Sequence, residues 1–197
     1  MLTTRELETL AVYEKRGRQR QIDTVPIWAD SFTMDIFSYL SGEGRVIDIG
    51  CGHGRFISLL DDLGIPHEGY LGVDPSPEQI GLGRELWPDH AFEVGDIYTV
   101  GERHPERFDG FWCATVLMHL PRERLDEGLV SLRGSLKKGA VGLVSTPFGE
   151  GGCVNRHGME LTLYGIEEIE EAFKKAGFLA GFHTPDFHML LGSIIAV

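Results

Sequence analysis

A chain of 197 residues allows one domain with a core of its own, and 42% hydrophobic with 24% charged residues excludes a disordered or fibrous protein. A net charge of −12 argues against a nucleic-acid partner, because phosphate binding needs a basic surface; the one dense basic cluster, Lys15, Arg16, Arg18 and Arg20, reads as a solvated helix end. The three cysteines have no disulfide or zinc spacing, the N-terminus lacks a signal-peptide core, and no apolar run of about 18 residues could span a membrane, so a cytoplasmic protein with no membrane and no metal is expected.

Thr3-Thr4-Arg5-Glu6 has the form of a capping box, and Leu7, Leu10 and Ala11 continue a helix that Gly17 ends. Phe32, Ile36, Phe37 and Leu40 predict a second helix over about Ser31 to Leu40. Val46-Ile47-Asp48-Ile49 reads as a strand covered on both faces. Phe56, Ile57, Leu59 and Leu60 predict a helix to Leu63, stopped by Gly64.

Tyr70 to Asp74 is the next expected strand. Ser76-Pro77-Glu78-Gln79 starts a helix towards Leu86, with Ser76 as N-cap and Gln79 completing a capping box. Strands follow at Ala91 to Val94, Phe108 to Ala114 and Ala140 to Ser145, with a helix from Arg122 to Leu136 between the last two. Ile166 to Ala176 reads as a helix, and Leu179 to His183 and His188 to Val197 as two final strands.

Alternation of strands and helices implies a parallel α/β sheet with helices on both faces; the adjacent last two strands imply a hairpin and so an antiparallel strand at one edge. The loop from Phe148 to Glu160 is glycine-rich and long for a plain connection, which favours a functional lid.

The stretch with chemical content is Asp48-Ile49-Gly50-Cys51-Gly52-His53-Gly54-Arg55. A strand, a glycine turn and a helix start together make a nucleotide-type cofactor site. Asp74, twenty residues after Gly54 and at a strand end, is placed to accept from two ribose hydroxyls. A dinucleotide fingerprint would need glycine where Arg55 stands, so the glycine pattern points away from NAD.

The run from Asp48 to Gly54 resembles the first motif of class I S-adenosylmethionine-dependent methyltransferases, of the small-molecule type. Gly72 to Ser76, Gly95-Asp96-Ile97, Phe108 to Pro121, Leu136 to Ala140 and Leu161 to Phe178 resemble their later motifs in the same order. The resemblance implies a Rossmann-like α/β fold with a seven-stranded, mostly parallel sheet and an antiparallel C-terminal strand. It implies one methyltransferase domain over 1–197, with an N-terminal helical segment (1–43) covering the acceptor site and a cofactor-binding core over 44–197.

It also implies site residues. Gly50, Gly52 and Gly54 would present backbone to the amino acid end of S-adenosyl-L-methionine, and Asp48 would fix its amino group. Asp74 would hold the ribose and Asp96 the adenine, between Ile97 and Pro75. Cys113 or Ala114 would pass the methionine portion.

His119 is the candidate general base, since imidazole titrates near neutral pH. Tyr164, Tyr13 and Trp28, with Phe32, are candidates to line the acceptor pocket. The expected activity is methyl transfer to a small molecule. The alternatives are a non-catalytic module binding the same cofactor and an NAD-dependent oxidoreductase, against which stand Arg55 and the missing Tyr-x-x-x-Lys pair. Trp112 to Thr115 lacks the Asn/Asp-Pro-Pro-aromatic run of nucleic-acid amine methylation.

Overall fold

Strand β1 (Val46–Ile49) is buried along its whole length, as its β-branched run requires, and pairs in parallel with β2 (Tyr70–Asp74) on one side and β4 (Phe108–Ala114) on the other. The computed structural model describes residues 1–17, 44–60, 62–155, 157–186 and 189–197. The expected helix over 31–40, Trp28, Phe32, Arg18, Arg20 and His188 lie outside the described residues.

Among the described residues the main sheet has seven strands in the order β3-β2-β1-β4-β5-β9-β8. Its other strands are β3 (Ala91–Val94), β5 (Leu136–Pro147), β8 (Phe178–Asp186) and β9 (Met189–Ala196). The antiparallel strand is the C-terminal β9, which pairs antiparallel with both β5 and β8. It is therefore inside the sheet, and the edge strand β8 runs with the others, which corrects the expected antiparallel edge. A long β5, extending past both ends of the predicted strand, leaves room for β9 beside it.

The chain winds outward from β1 to β2 and β3 on one side, then returns to β4 and β5 on the other. This puts a topological switch point between β1 and β4, and ligands of such sheets bind outside the strands' carboxyl ends there.

Side chains alternate across the strands and feed two cores. One core joins Ile47, Ile49, Phe111 and Cys113 to the helices α3 (Val100–Arg103), α4 (Leu125–Ser135) and α5 (Ile166–Lys175). The other joins Val46, Tyr70, Trp112 and Ala114 to the segment after the glycine turn and to Ile80 of α2 (Pro77–Leu86). Phe56 anchors that segment by stacking on Trp112, ring centroids 5.5 Å apart, worth about 0.5–1.5 kcal/mol beyond burial.

The segment after the glycine turn is not the predicted helix. Among the described residues a 3-10 turn, Ile57–Leu59, is the only helical element between Gly54 and Gly64, which both take positive φ (90° and 64°). The predicted helix from Arg122 likewise starts as a 3-10 turn, Arg122–Arg124, before α4.

The long loop after β5 holds a small antiparallel ribbon, β6 (Gly152–Val154) with β7 (Glu160–Thr162), which sequence patterning missed because every residue of β6 is exposed. Helix α1 (Thr4–Gly17) begins with the predicted capping box: Glu6 Oε2 accepts from the Thr3 amide at 2.7 Å. Its inward face is not Leu7, which is 53% exposed, but Glu6 and Thr9, both buried.

Candidate functional site

A cavity of about 230 Å³ opens at the carboxyl ends of β1, β2, β3 and β4, where the switch point places it. Its floor is the turn from Gly50 to His53, its sides are Asp74-Pro75 and Asp96-Ile97, and Ala114 to Val116 close the β4 end. Glu6, Thr9, Leu10 and Tyr13, one face of α1, form the wall opposite together with Leu2 just before the helix, with His119 and Leu120 beside them.

The turn needs glycine for two different reasons. Gly50 has φ +66°, and a Cβ there would stand 2.4 Å from Val116 Cγ2. Gly54 has φ +90°, and its Cβ would meet Ile57 at 2.6 Å and Phe92 at 2.8 Å. Gly50 and Gly52 face the cavity; Gly54 does not line it, and its missing side chain instead lets the turn pack on β3.

Asp74 ties this turn to the start of α2. Its Oδ2 accepts from the Gly52 amide at 2.9 Å and its Oδ1 from the Ser76 amide at 2.8 Å. Burial pushes its carboxyl above the usual carboxylate range, and the two amides pull against that shift. Asp96 Oδ1 accepts from the Tyr98 amide at 3.0 Å and the Thr99 hydroxyl at 3.1 Å, leaving Oδ2 uncommitted among the described residues. Ile97 is buried and Pro75 half-buried, so two apolar surfaces flank that carboxylate.

Besides Gly54, three residues expected at the site sit elsewhere. Asp48 is 1% exposed, does not line the cavity, and accepts from the Tyr70 hydroxyl at 3.0 Å. Cys113 is fully buried in the core against α4 and α5; its neighbour Ala114 turns to the cavity, because adjacent strand residues face opposite sides. Tyr164 is a core tyrosine whose hydroxyl donates to the Leu117 carbonyl at 3.2 Å, away from the cavity.

His119 and Tyr13 do meet there. The His119 Nε2 lies 3.0 Å from the Tyr13 hydroxyl, the rings edge to face at 5.4 Å. Burial, aided by the charge of Arg5, pushes the imidazole down to about 4, so the ring is neutral at neutral pH. Its Nδ1 and the Thr9 hydroxyl are both buried without a hydrogen-bond partner among the described residues, and both residues line the cavity.

Sequence reasoning missed the residues that hold α1 in place. The Tyr98 hydroxyl donates to Glu6 Oε1 at 2.6 Å, and Arg124 reaches Glu6 Oε2 at 3.2 Å while its guanidinium carbon stands 3.5 Å over the Tyr98 ring. Burial alone would raise the Glu6 carboxyl; hydrogen bonds from Tyr98 and Thr3 and the charge of Arg124 hold it below the usual range. Thr115, also unforeseen, lines the cavity with φ +59°, a strained conformation for a β-branched residue.

Comparison with known proteins agrees with this geometry. The profile of a family described as methyltransferase domain matches residues 46–139. A trans-aconitate 2-methyltransferase from Methylobacterium nodulans is 34% identical over 82 residues, covering 42% of this chain and 31% of that protein. The matched stretch thus spans about a third of the curated relative's length.

Among solved structures, the 1,6-didemethyltoxoflavin-N1-methyltransferase of Burkholderia thailandensis superposes with TM-score 0.71 at 17% identity, covering 100% of this chain and 92% of that one. The magnesium protoporphyrin IX methyltransferase of Synechocystis gives 0.68 at 17%, covering 100% and 99%. At these identities the likeness is one of fold. The family match over 46–139 takes in the glycine turn at the switch point, so this stretch of the chain is similar to a methyltransferase domain.

Proposed function

We propose that the protein transfers the methyl group of S-adenosylmethionine to a small-molecule acceptor. The observation that carries this reading is the convergence, in one cavity, of the bare Gly50–Gly52 backbone, the Asp74 carboxylate and the Asp96–Ile97 pair. The donor set fits the cofactor: carboxylates and backbone suit a cationic ligand with a ribose and an adenine, and no phosphate clamp is needed.

Asp74 accepts from the ribose, the Oδ2 of Asp96 accepts from the adenine amine, and Ile97 and Pro75 flank the ring. Gly50 and Gly52 admit the amino acid end. When bound, the cofactor supplies a methyl group already activated for displacement. The protein's part is to hold the acceptor in line with it and keep water out.

The acceptor end is the wall of α1 with His119. Leu2, Leu10, Val116 and Leu120 make it largely apolar, and the Thr9 hydroxyl and His119 Nδ1, without partners among the described residues, offer an acceptor its hydrogen bonds. That composition suits a small molecule, as do the substrates named for the Burkholderia and Synechocystis enzymes and the Methylobacterium relative. The acidic balance of the chain disfavours nucleic acid. Among the described residues no helix is long and apolar enough to cross a membrane. The N-terminal segment, of which α1 is the described part, acts as the cover of the acceptor site within a single domain.

Calorimetric titration with S-adenosylmethionine, S-adenosylhomocysteine and NAD tests the assignment. The two adenosyl ligands are expected to bind and NAD is not; binding of NAD alone would overturn the reading. Turnover against a metabolite library separates an enzyme from a binding module.

His119 acts by orientation more than by taking a proton. An imidazole pushed to about 4 is neutral but weakly basic at pH 7. We expect kcat/KM to show no limb near pH 6.5 assignable to His119. His119→Phe should raise KM for the acceptor more than it lowers kcat. A wild-type limb near 6.5 that His119→Phe abolishes would restore the general-base role.

A further inference from the structure

Helix α2 is capped in an unexpected way. Its sequence predicts that Gln79 reaches back to the Ser76 amide, but Asp74 Oδ1 takes that amide at 2.8 Å. The Ser76 hydroxyl still accepts from the Gln79 amide at 3.2 Å, so the helix start is intact. The Gln79 side chain is thereby released. Its Oε1 lies 3.3 Å from His53 Nδ1, inside the glycine turn.

An amide oxygen can only accept, so this partner sets the tautomer: Nδ1 carries the proton and Nε2 is left as an acceptor. The Nε2 atom is buried and has no hydrogen-bond partner among the described residues. A buried acceptor without a donor is costly unless a ligand satisfies it. His53, Gln79, Asp74 and Gly52 all line the same cavity.

A nucleoside ribose brings two vicinal hydroxyl donors to this corner. Each oxygen of Asp74 already serves a backbone amide. We propose that His53, held by Gln79, is the second acceptor for the ribose diol of the cofactor, sharing with Asp74 the two hydroxyls. The proposal rests on the adenosyl-cofactor reading above. His53 is then a binding residue and Gln79 a positioning residue, and together they make recognition of a ribonucleoside a property of the turn itself.

The experiment is calorimetric titration of S-adenosylhomocysteine and its 2′-deoxy and 3′-deoxy analogues into the wild-type chain, His53→Phe and Gln79→Leu, with a thermal melt of each variant. His53→Phe is expected to weaken S-adenosylhomocysteine about fivefold to tenfold, the worth of one hydrogen bond, and Gln79→Leu by less. One deoxy analogue should bind wild type with the same loss, and His53→Phe should add no further loss for that analogue. Unchanged affinity in both variants overturns the proposal. So do losses that multiply for both analogues, since His53 would then not touch either hydroxyl. If the wild-type chain does not bind S-adenosylhomocysteine at all, the cofactor reading itself falls. Gln79→Leu leaves the imidazole in place and keeps the test intact should His53→Phe fail to fold.

Discussion

Asp74→Ala is expected to weaken S-adenosylhomocysteine binding by about ten- to a hundredfold while the chain stays folded. Hydrogen bonds to a charged group are worth about 1.5–3 kcal/mol, and about 1.4 kcal/mol is tenfold in affinity. The loss has two sources. The ribose loses a charged acceptor, and the Gly52 and Ser76 amides lose theirs, so the turn also loses its tie to α2.

Asp74→Asn separates the two. Its carbonyl oxygen still serves one amide, so its loss should be intermediate, with a melt nearer wild type. Stability is buffered in both variants, because burial already makes the ionised Asp74 costly to keep. Calorimetry beside a thermal melt checks this. Affinity within twofold of wild type in a folded Asp74→Ala protein would show that the ribose is held elsewhere.

Much of this site was legible because buried parallel strands announce themselves. The runs at Tyr70–Asp74, Ala91–Val94 and Phe108–Ala114 end where predicted, each bounded by turn residues. The residues after those strands, Pro75, Asp96 and Ile97, fall at the cavity for the same reason. What such runs hide is parity. When both faces of a strand are apolar, nothing in the pattern says which residue faces which side, so Cys113 and Ala114 could not be told apart.

Other residues depend on contacts distant in the chain. Tyr98 and Arg124 matter because they meet Glu6, which lies 92 and 118 residues away. Glu6 looked like a plain capping residue, and it is one. The available signal was the spacing of Glu6, Thr9, Leu10 and Tyr13 along one helix face. Hydrophobic periodicity passes over such a face because half of it is polar.

Asp48→Asn is expected to stabilise the protein at pH 8 and to remove most of a loss of stability that wild type suffers between pH 4 and pH 8. Burial pushes the Asp48 carboxyl from 3.8 to about 7, with the Tyr70 hydrogen bond and the charge of Arg55 only partly opposing it. Below the ordinary value both folded and unfolded chains hold the proton, and Asp48 costs nothing. Between the two values the unfolded chain has released it and the folded chain has not, so stability falls as pH rises. Above about 7 the cost is constant.

At about 1.4 kcal/mol per pKa unit, the ceiling is about 4 kcal/mol. Asn keeps the size and an oxygen for the Tyr70 hydroxyl but carries no charge. Chemical denaturation of both proteins from pH 4 to 8.5 measures the difference; parallel curves would mean that Asp48 titrates normally. Such a costly acid behind the glycine turn has a functional counterpart. It does not line the cavity, so it acts on a ligand through its charge alone. At pH 8 the variant should therefore lose a few fold in affinity for the cationic S-adenosylmethionine and less for the uncharged thioether of S-adenosylhomocysteine, and at pH 5 that selectivity should vanish. Equal losses for both ligands at pH 8 would mean that Asp48 contributes through the shape of the turn and not through its field.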